Sequence, residues 1–344
     1  MKQTIKVPVA DIRSFKKSSS HIQNKGILPI LDYIKFDNGT ITKNNLNEFV
    51  IQESVFTGSF LIEERILFSF IDYTSASEIT FVTDGKKVIL SDGSQKASST
   101  QGDLELFPIP EEMPKETVSL TDTILKFFGS AAKYTKEGGD DLRKTHIFIG
   151  GDVILASDAH IAFYRKIDRE LPKTAIPRSV AQMVSSIDPA DFAQTEGKLF
   201  FKAGKVIYGF QKTEATYIDM SSFFKYENLN SFHAPKDELI AFNDTCLSMS
   251  KIKMCHPFLE IKEGKLLMSA VDSDFGVDNE KEIEVIGKME GKLQYDAATL
   301  NRLLKTAPDD ELTFSRGKGM MYITGDSGFT SLIMELIFKT DDTI

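Results

Sequence analysis

Several features that mark whole classes of protein are missing from this chain. It has only two cysteines in 344 residues, Cys246 and Cys255, with neither a CxxC spacing nor a His/Cys cluster beside them. That excludes a disulfide framework and a cysteine-rich zinc site, and both are expected to be ordinary reduced thiols. Long apolar runs are also missing. Stretches such as "LIMELIF" at 332–338 fall far short of the roughly 20 residues needed to cross a bilayer, so no membrane association is expected. The opening "MKQTIKVPV" has no apolar signal-peptide core, which points to the cytoplasm. Positive charge is in deficit, with 41 Lys and Arg against 50 Asp and Glu and a net charge of −9. A protein that coats nucleic acid with its whole surface is excluded on that balance, whereas a local basic surface is not.

Signatures of catalysis are missing as well. Asp158 and His160 in "SDAHIAFY" stand two apart, on one face of an expected strand, but no GxSxG nucleophile motif accompanies them. "SRGKGM" (315–320) lacks the GxxxxGK[ST] spacing and precedes a strand where a phosphate loop precedes a helix. "DSDFGVDNE" (272–280) has neither the ligand spacing nor the closing Glu of an EF-hand, so it reads as a solvated loop. The expectation is therefore no enzyme, no cofactor and no metal.

What the sequence does contain is a repeat. Its length suits two or three domains, and 41% hydrophobic residues supply a core for each. "DGKKVIL" (84–90) recurs as "AGKVIY" (203–208) and "GKGMMYI" (317–323), which places Lys86, Lys205 and Lys318 at nearly equal intervals. A second series, a turn at Gly39, Gly151 and Gly264 next to an apolar strand, repeats with almost the same period. Two landmarks agree on three units. Each unit holds two segments of helical periodicity: 9–20 and 61–72, Asp122–Tyr134 and 177–187, Asp237–Lys251 and 296–306. Pro177 suits a first helical turn and Asp296 an N-cap. With hairpins between, the order is strand, helix, strands, helix, strands, a half-unit duplicated within each domain. The class is α+β, with three domains at 1–113, 114–233 and 234–344. The proline-rich "FPIPEEMPKE" (107–116) and "NLNSFHAPKDE" (228–238) mark the two boundaries, and "KTDDTI" reads as a disordered tail.

In this order of elements the chain resembles the bacterial DNA polymerase III beta subunit, the sliding-clamp family. The residues that carry the resemblance are "LPILDYIKF" (28–36), "VILASDAHIAFYRKI" (153–167), "AIPRSVAQMVSSI" (175–187), "TLNRLLKTAPDDELTF" (299–314) and "LIMELIF". It implies a ring of two head-to-tail subunits with sheets outside and helices inside. Such a ring encircles duplex DNA without sequence preference and tethers a polymerase, a clamp loader and other replication or repair proteins. Three duplicated domains per chain fit a ring of six domains and twelve inward helices. Counted over 9–20, 61–72, 121–136, 177–187, 236–253 and 296–306, the helical segments sum to +4, leaving −13 for the rest of the chain, an asymmetry suited to a weakly basic bore. The resemblance places Arg13, Lys16, Lys17, Lys25, Lys126, Lys133, Arg143, Arg178, Lys251, Lys253, Arg302 and Lys305 near DNA.

It also implies a cleft for a short apolar partner peptide, formed by Ser157, His160, Ile161, Leu332, Met334, Leu336 and Phe338. Two departures bear on that picture. Ala159, Ile161 and Ala162 replace the Gly, Arg and Leu of the family's "TDGHRLA", and "MELIF" replaces "MPMRL", so an altered peptide specificity is expected. The first-domain subunit edge, "SDGSQKASSTQ" (91–101), is almost wholly polar where the family is apolar. Polar edges resist strand pairing, so a weak homodimer is expected, with a monomeric, clamp-folded protein scaffold as the alternative.

Overall fold

The computed structural model describes residues 2–24, 28–187, 189–215, 221–224, 230–250, 255–272, 277–317 and 319–336. Six successive strand-helix-strand-strand-strand runs follow one another along it. The first is β1 (Gln3–Pro8), α1 (Val9–Ser18), β2 (Tyr33–Asp37), β3 (Thr40–Asn44) and β4 (Glu48–Glu53). The second is β5 (Ser59–Glu63), α2 (Glu64–Tyr73), β6 (Glu78–Thr83), β7 (Lys87–Ser91) and β8 (Lys96–Thr100). The third is β9 (Val118–Ser119), α3 (Asp122–Ala132), a single turn α4 (Leu142–Thr145), β10 (His146–Ile149), β11 (Val153–Ser157) and β12 (Ile161–Lys166). The fourth is β13 (Thr174–Pro177), α5 (Arg178–Val184), β14 (Asp191–Gln194), β15 (Lys198–Ala203) and β16 (Val206–Gln211). The fifth is β17 (Ser231–Pro235), α6 (Lys236–Met249), β18 (Phe258–Lys262), β19 (Lys265–Asp272) and β20 (Val277–Glu284). The sixth, after a short strand β21 (Ile286–Gly287), is β22 (Leu293–Gln294), α7 (Ala297–Leu304), β23 (Glu311–Gly317), β24 (Met320–Thr324) and β25 (Thr330–Met334). This is the duplicated helix-on-sheet unit of the expected α+β class.

The recurring glycines have a common cause. Gly85 and Gly204 turn the β6–β7 and β15–β16 hairpins at φ +91° and +56°, and Gly39, Gly151 and Gly264 turn the second series at +91°, +88° and +78°. A side chain is disfavoured in that region, so each tight hairpin selects glycine. Lys318, the third turn's lysine, lies outside the described residues, as do Lys25, Lys251, Lys253, Phe338 and the tail. Two helix starts differ from the sequence reading. Leu61 and Ile62 lie within strand β5, paired with β2, and α2 begins only at Glu64. A short run of buried apolar residues has no periodicity that separates strand from helix. Pro177 closes β13 and stands at the N-cap, with Arg178 as the first helical residue.

The chain folds into two compact units, Met1–Thr121 with Ile187–Lys212, and Asp122–Ser186 with Thr213–Ile344. The first contains the sheets β1-β6-β7-β8 and β5-β2-β3-β4-β16-β15-β14-β9. Ile12 and Phe15 of α1 and Leu67 and Ile71 of α2 are fully buried, as are Phe36, Phe60 and Phe81 of the sheets. Phe36 and Phe60 stack at 4.6 Å between centroids. The second unit contains β13-β10-β11-β12-β25-β24-β23-β17-β21 and β20-β19-β18-β22. Its helices pair as α3 with α5, where the Gly129 backbone approaches Ser185, and as α6 with α7. Between the latter two runs a buried polar chain: Tyr295 donates to Asn243 at 2.9 Å, and Asn243 donates to Asn301 at 2.9 Å.

Strand exchange ties neighbouring runs together. β1 pairs with β6 while β5 pairs with β2, β9 with β14 while β13 pairs with β10, and β17 with β23 while β22 pairs with β18. A run therefore cannot complete its own sheet. Last strands pair with last strands: β4 with β16 and β12 with β25, both antiparallel. The last strands β8 and β20 stand at sheet edges.

At the β4–β16 seam the Phe49 ring lies so close over Gly209 that a Cβ there would overlap the ring carbons. Gly209→Ala must displace that ring and is expected to destabilise the protein by about 1–3 kcal/mol. Urea denaturation checks this, and adding Phe49→Leu should recover part of the loss.

Candidate functional site

The helix-borne cations divide by what they touch. Arg13 donates to the carbonyls of Thr74 at 2.7 Å and Ile71 at 3.4 Å, stitching α1 to the end of α2. Arg178 donates to the Thr135 carbonyl at 2.7 Å. A carbonyl satisfies a donor without cancelling its charge, so both remain cationic. Lys16 is paired with Asp72, and Lys305 with Asp244 at 3.1 Å. Arg143 holds Asp141 through two hydrogen bonds, at 2.8 and 3.1 Å, and keeps that half-buried carboxylate well below its usual pKa. Lys17, Lys126 and Lys133 are exposed and have no ion pair among the described residues. The second unit thus offers Lys126 on α3 and Lys133 just past its end, while Lys16, Arg143, Arg302 and Lys305 are partly neutralised by acids.

Arg302 has a different task. Its guanidinium reaches from α7 to Asp158, in the turn between β11 and β12. The Asp158 carboxylate also accepts from His160 N at 2.9 Å and Ile161 N at 3.0 Å. Burial works to raise its pKa, but these backbone donors and Arg302 outweigh it and hold the carboxyl below its ordinary value. In the same layer the fully buried Tyr134 hydroxyl meets Thr306 at 2.8 Å, and burial pushes its pKa to about 12. These contacts tie α3 and α7 to the sheet beneath them. Ala159, at the tip of the Asp158 turn, adopts φ +80°, where the resembled family has glycine.

The expected cleft residues separate by strand alternation. Ser157 is opposite Ala162, Ala162 is opposite Leu332, and Leu332 is opposite Tyr322, so these four share one face. Met334 shares that face too, opposite Met320 and 41% exposed. Ile161 pairs with Ile333 and lies on the opposite, helix-covered face with Phe163, whose ring meets Tyr134 at 5.4 Å. His160 is exposed in the turn, and its carbonyl accepts from Met334 N at 2.8 Å. Leu336 N is bonded to the Gln294 carbonyl at 3.0 Å. Phe338 lies outside the described residues.

Sequence reasoning missed the larger part of this surface. Ala162, Tyr322 and Leu332 form a cluster with Met320 and Phe224, and Phe224 stacks on Tyr164 at 4.8 Å. Beside it opens a cavity of about 300 Å³, with Phe148 and Leu155 as floor, Phe223 as a 47% exposed wall, and Arg143 and Lys144 at the rim. Period-2 alternation in "VILAS" and "IAFYRK" marks these positions as strand faces, but does not say which face is covered. Among the described residues no group of three or more His, Cys, Asp and Glu could hold a metal ion, and no helix is long and apolar enough to cross a membrane.

Asp158→Asn keeps the turn's shape but removes the charge facing Arg302. It is expected to cost about 2 kcal/mol at neutral pH, below the roughly 3–5 kcal/mol of a fully buried pair because the Arg302 side chain is 37% exposed. The folded-state pKa is depressed, so this stabilisation is present above the ordinary aspartate value and disappears as pH falls through the lowered one. Denaturation of wild type and variant should therefore converge on acidification below about pH 5, as the pH falls through the lowered value.

No protein-family model matches the chain, and comparison with curated proteins gives no match. Solved structures do. A DNA polymerase sliding clamp from Caulobacter crescentus matches with a TM-score of 0.85 at 12% identity, over 98% of this chain and 100% of that one. The beta subunit of a Streptococcus pyogenes DNA polymerase matches with a TM-score of 0.82 at 16% identity, over 98% and 100%. The DNA polymerase III subunit beta of Pseudomonas aeruginosa gives 0.84 at 12%, with the same coverage. Along nearly its whole length, the chain has the fold of the bacterial DNA polymerase III beta-subunit sliding clamps.

Proposed function

We propose that the protein is a divergent DNA sliding clamp, a non-enzymatic tether that two copies form by closing head to tail around duplex DNA. The observation that carries this reading is the pairing of last strands. β4 takes β16 and β12 takes β25, leaving β8 and β20 as the two last strands at sheet edges. Pairing β8 of one copy with β20 of a second extends the same rule and closes a two-fold ring. Three domains at 1–113, 114–233 and 234–344 then give six around the ring. The edges are complementary in charge. Lys96 on β8 and Lys86 and Lys87 on the neighbouring hairpin are exposed, and so are Glu280, Glu282 and Glu284 on β20. Of the three acids only Glu282 has an ion pair among the described residues, with Lys265.

In this reading Lys17, Lys126 and Lys133, supported by Arg13 and Arg178, meet the phosphates, while Lys16, Arg143, Arg302 and Lys305 contribute less because acids already hold them. Lys25, Lys251 and Lys253 complete the set proposed from the resemblance. A polymerase or loader attaches by a short apolar peptide laid over Ser157, Leu332 and Met334, beside Ala162 and Tyr322. Phe148, Leu155 and Phe223 give the cleft an aromatic pocket, and His160 and Leu336 flank it; Phe338 belongs to the set through the resemblance alone. The polar strand β8 favours a second reading, in which a monomer of the same fold serves only as a protein scaffold.

Sedimentation separates the two. A ring predicts twice the 38.5 kDa chain mass at micromolar concentration and low salt, with dissociation promoted by salt. Lys96→Glu should weaken the dimer by about tenfold. A monomer at every concentration and salt would leave only the scaffold.

A further inference from the structure

A cavity of about 740 Å³ opens within the second unit, on the side of the sheet that bears α3. That volume lies within the range of roughly 300–1,000 Å³ typical of small-molecule sites. It is separate from the apolar face described above. Phe163 and Phe329, 2% and 3% exposed, lie at its base, and the half-buried Phe127 of α3 forms a wall. Three cations surround these rings: Lys126 from α3, Lys133 from the turn after it and Arg165 from β12. Among the described residues, no acid lines the cavity.

Arg165 is the most constrained of the three. Its guanidinium lies 4.7 Å from the centre of the Phe127 ring and donates to the Ser327 carbonyl at 2.5 Å. The Gly328 backbone packs so closely against it that a Cβ there would fall 2.8 Å from Nη1. Burial lowers its pKa, and the nearby Asp309 carboxylate offsets this in part. Asp309 itself is engaged in holding the turn, accepting from Ser327 N at 2.9 Å and Oγ at 2.6 Å. A half-buried guanidinium without an ion pair among the described residues, next to two exposed lysines likewise without one, is a standing attraction for an anion.

We propose that this cavity binds a nucleoside phosphate, with the base against the phenylalanine rings and the phosphate held by Lys126, Lys133 and Arg165. Aromatic faces stack any base, and cations beside them select the phosphorylated form. The Ser130 hydroxyl, which also lines the cavity, offers a hydrogen bond to the sugar or base edge, and Ser185 Oγ, which donates to the Gln182 carbonyl at 2.8 Å, is left as an acceptor. A peptide carboxylate would satisfy the cations but leave the half-buried Phe127 ring without a matching ring. The nucleotide can come from two sources, free in solution or as an unpaired, 5′-phosphorylated end of a DNA strand. Its binding does not depend on ring closure.

The test uses the full chain and deoxyadenosine monophosphate, followed by calorimetry and by chemical-shift changes. Saturable binding is expected, at least about tenfold tighter than that of deoxyribose 5-phosphate, because stacking distinguishes the two. The exposed substitutions Lys126→Gln with Lys133→Gln should weaken it by about tenfold without changing the unfolding midpoint, and Phe127→Leu should erase the preference for the base. A duplex with one unpaired 5′-phosphorylated nucleotide is then compared with its blunt counterpart. Tighter binding of the overhang assigns the strand end, and equal binding with mononucleotide affinity retained assigns the free nucleotide. Absence of saturable mononucleotide binding, equal affinity for the sugar phosphate, or indifference to the double lysine change overturns the proposal. None of these mononucleotide results depends on whether the protein encircles DNA.

Discussion

The antiparallel pairing of β12 with β25 is the constraint on which the second unit depends. It joins two strands from distant parts of the chain, Ile161 opposite Ile333 and Ala162 opposite Leu332, and so merges two half-sheets into one of nine strands. Every consequence follows from alternation across that seam. The face carrying Ile161, Phe163 and Ile333 is buried beneath helices. The face carrying Ala162, Leu332 and Tyr322 is left to be covered by Phe224 and to border an apolar cavity. The β4–β16 seam does the same in the first unit, and it requires a glycine where Phe49 must lie flat. Because strand exchange already denies each run a complete sheet, these seams leave few ways to assemble the chain.

Asp158 and Arg302 couple the two layers at this seam. The Asp158 carboxylate shapes the turn that presents Ser157 and His160, and its charge partner sits on α7. A residue that sequence reasoning assigns to phosphate binding therefore holds the turn beside the cleft. The same redistribution affects the other cations. Lys16, Arg143 and Lys305 face acids of their own, which leaves as exposed lysines without an ion pair among the described residues Lys17 in the first unit and, in the second, Lys126 on α3 and Lys133 just past its end.

The repeat was legible in the sequence because it is written in residues that the backbone itself demands. Glycine at positive φ in successive hairpins and apolar periodicity in helices survive substitution elsewhere, so all six runs could be found from Gly39, Gly85, Gly151, Gly204 and Gly264 and the helical segments. Helix starts were less clear, since "SFLIE" reads equally as strand end or helix entry until its pairing with β2 is seen. The sites were least legible. Whether Arg302 meets a phosphate or Asp158 depends on a contact between residues far apart in sequence. Arg165 escaped notice because it lies on a strand outside the helical segments, and Phe224 because its partner Tyr164 belongs to a much earlier strand.

Retention on circular DNA tests the central claim most directly. Protein dissociated at high salt would be mixed with a nicked circle, returned to low salt to let it close, and then challenged with salt that strips ordinary phosphate contacts. A closed clamp stays on the circle and is lost as soon as the DNA is cut once, because its hold is topological. Equal retention on circular and linear DNA, or none on either, would contradict encirclement.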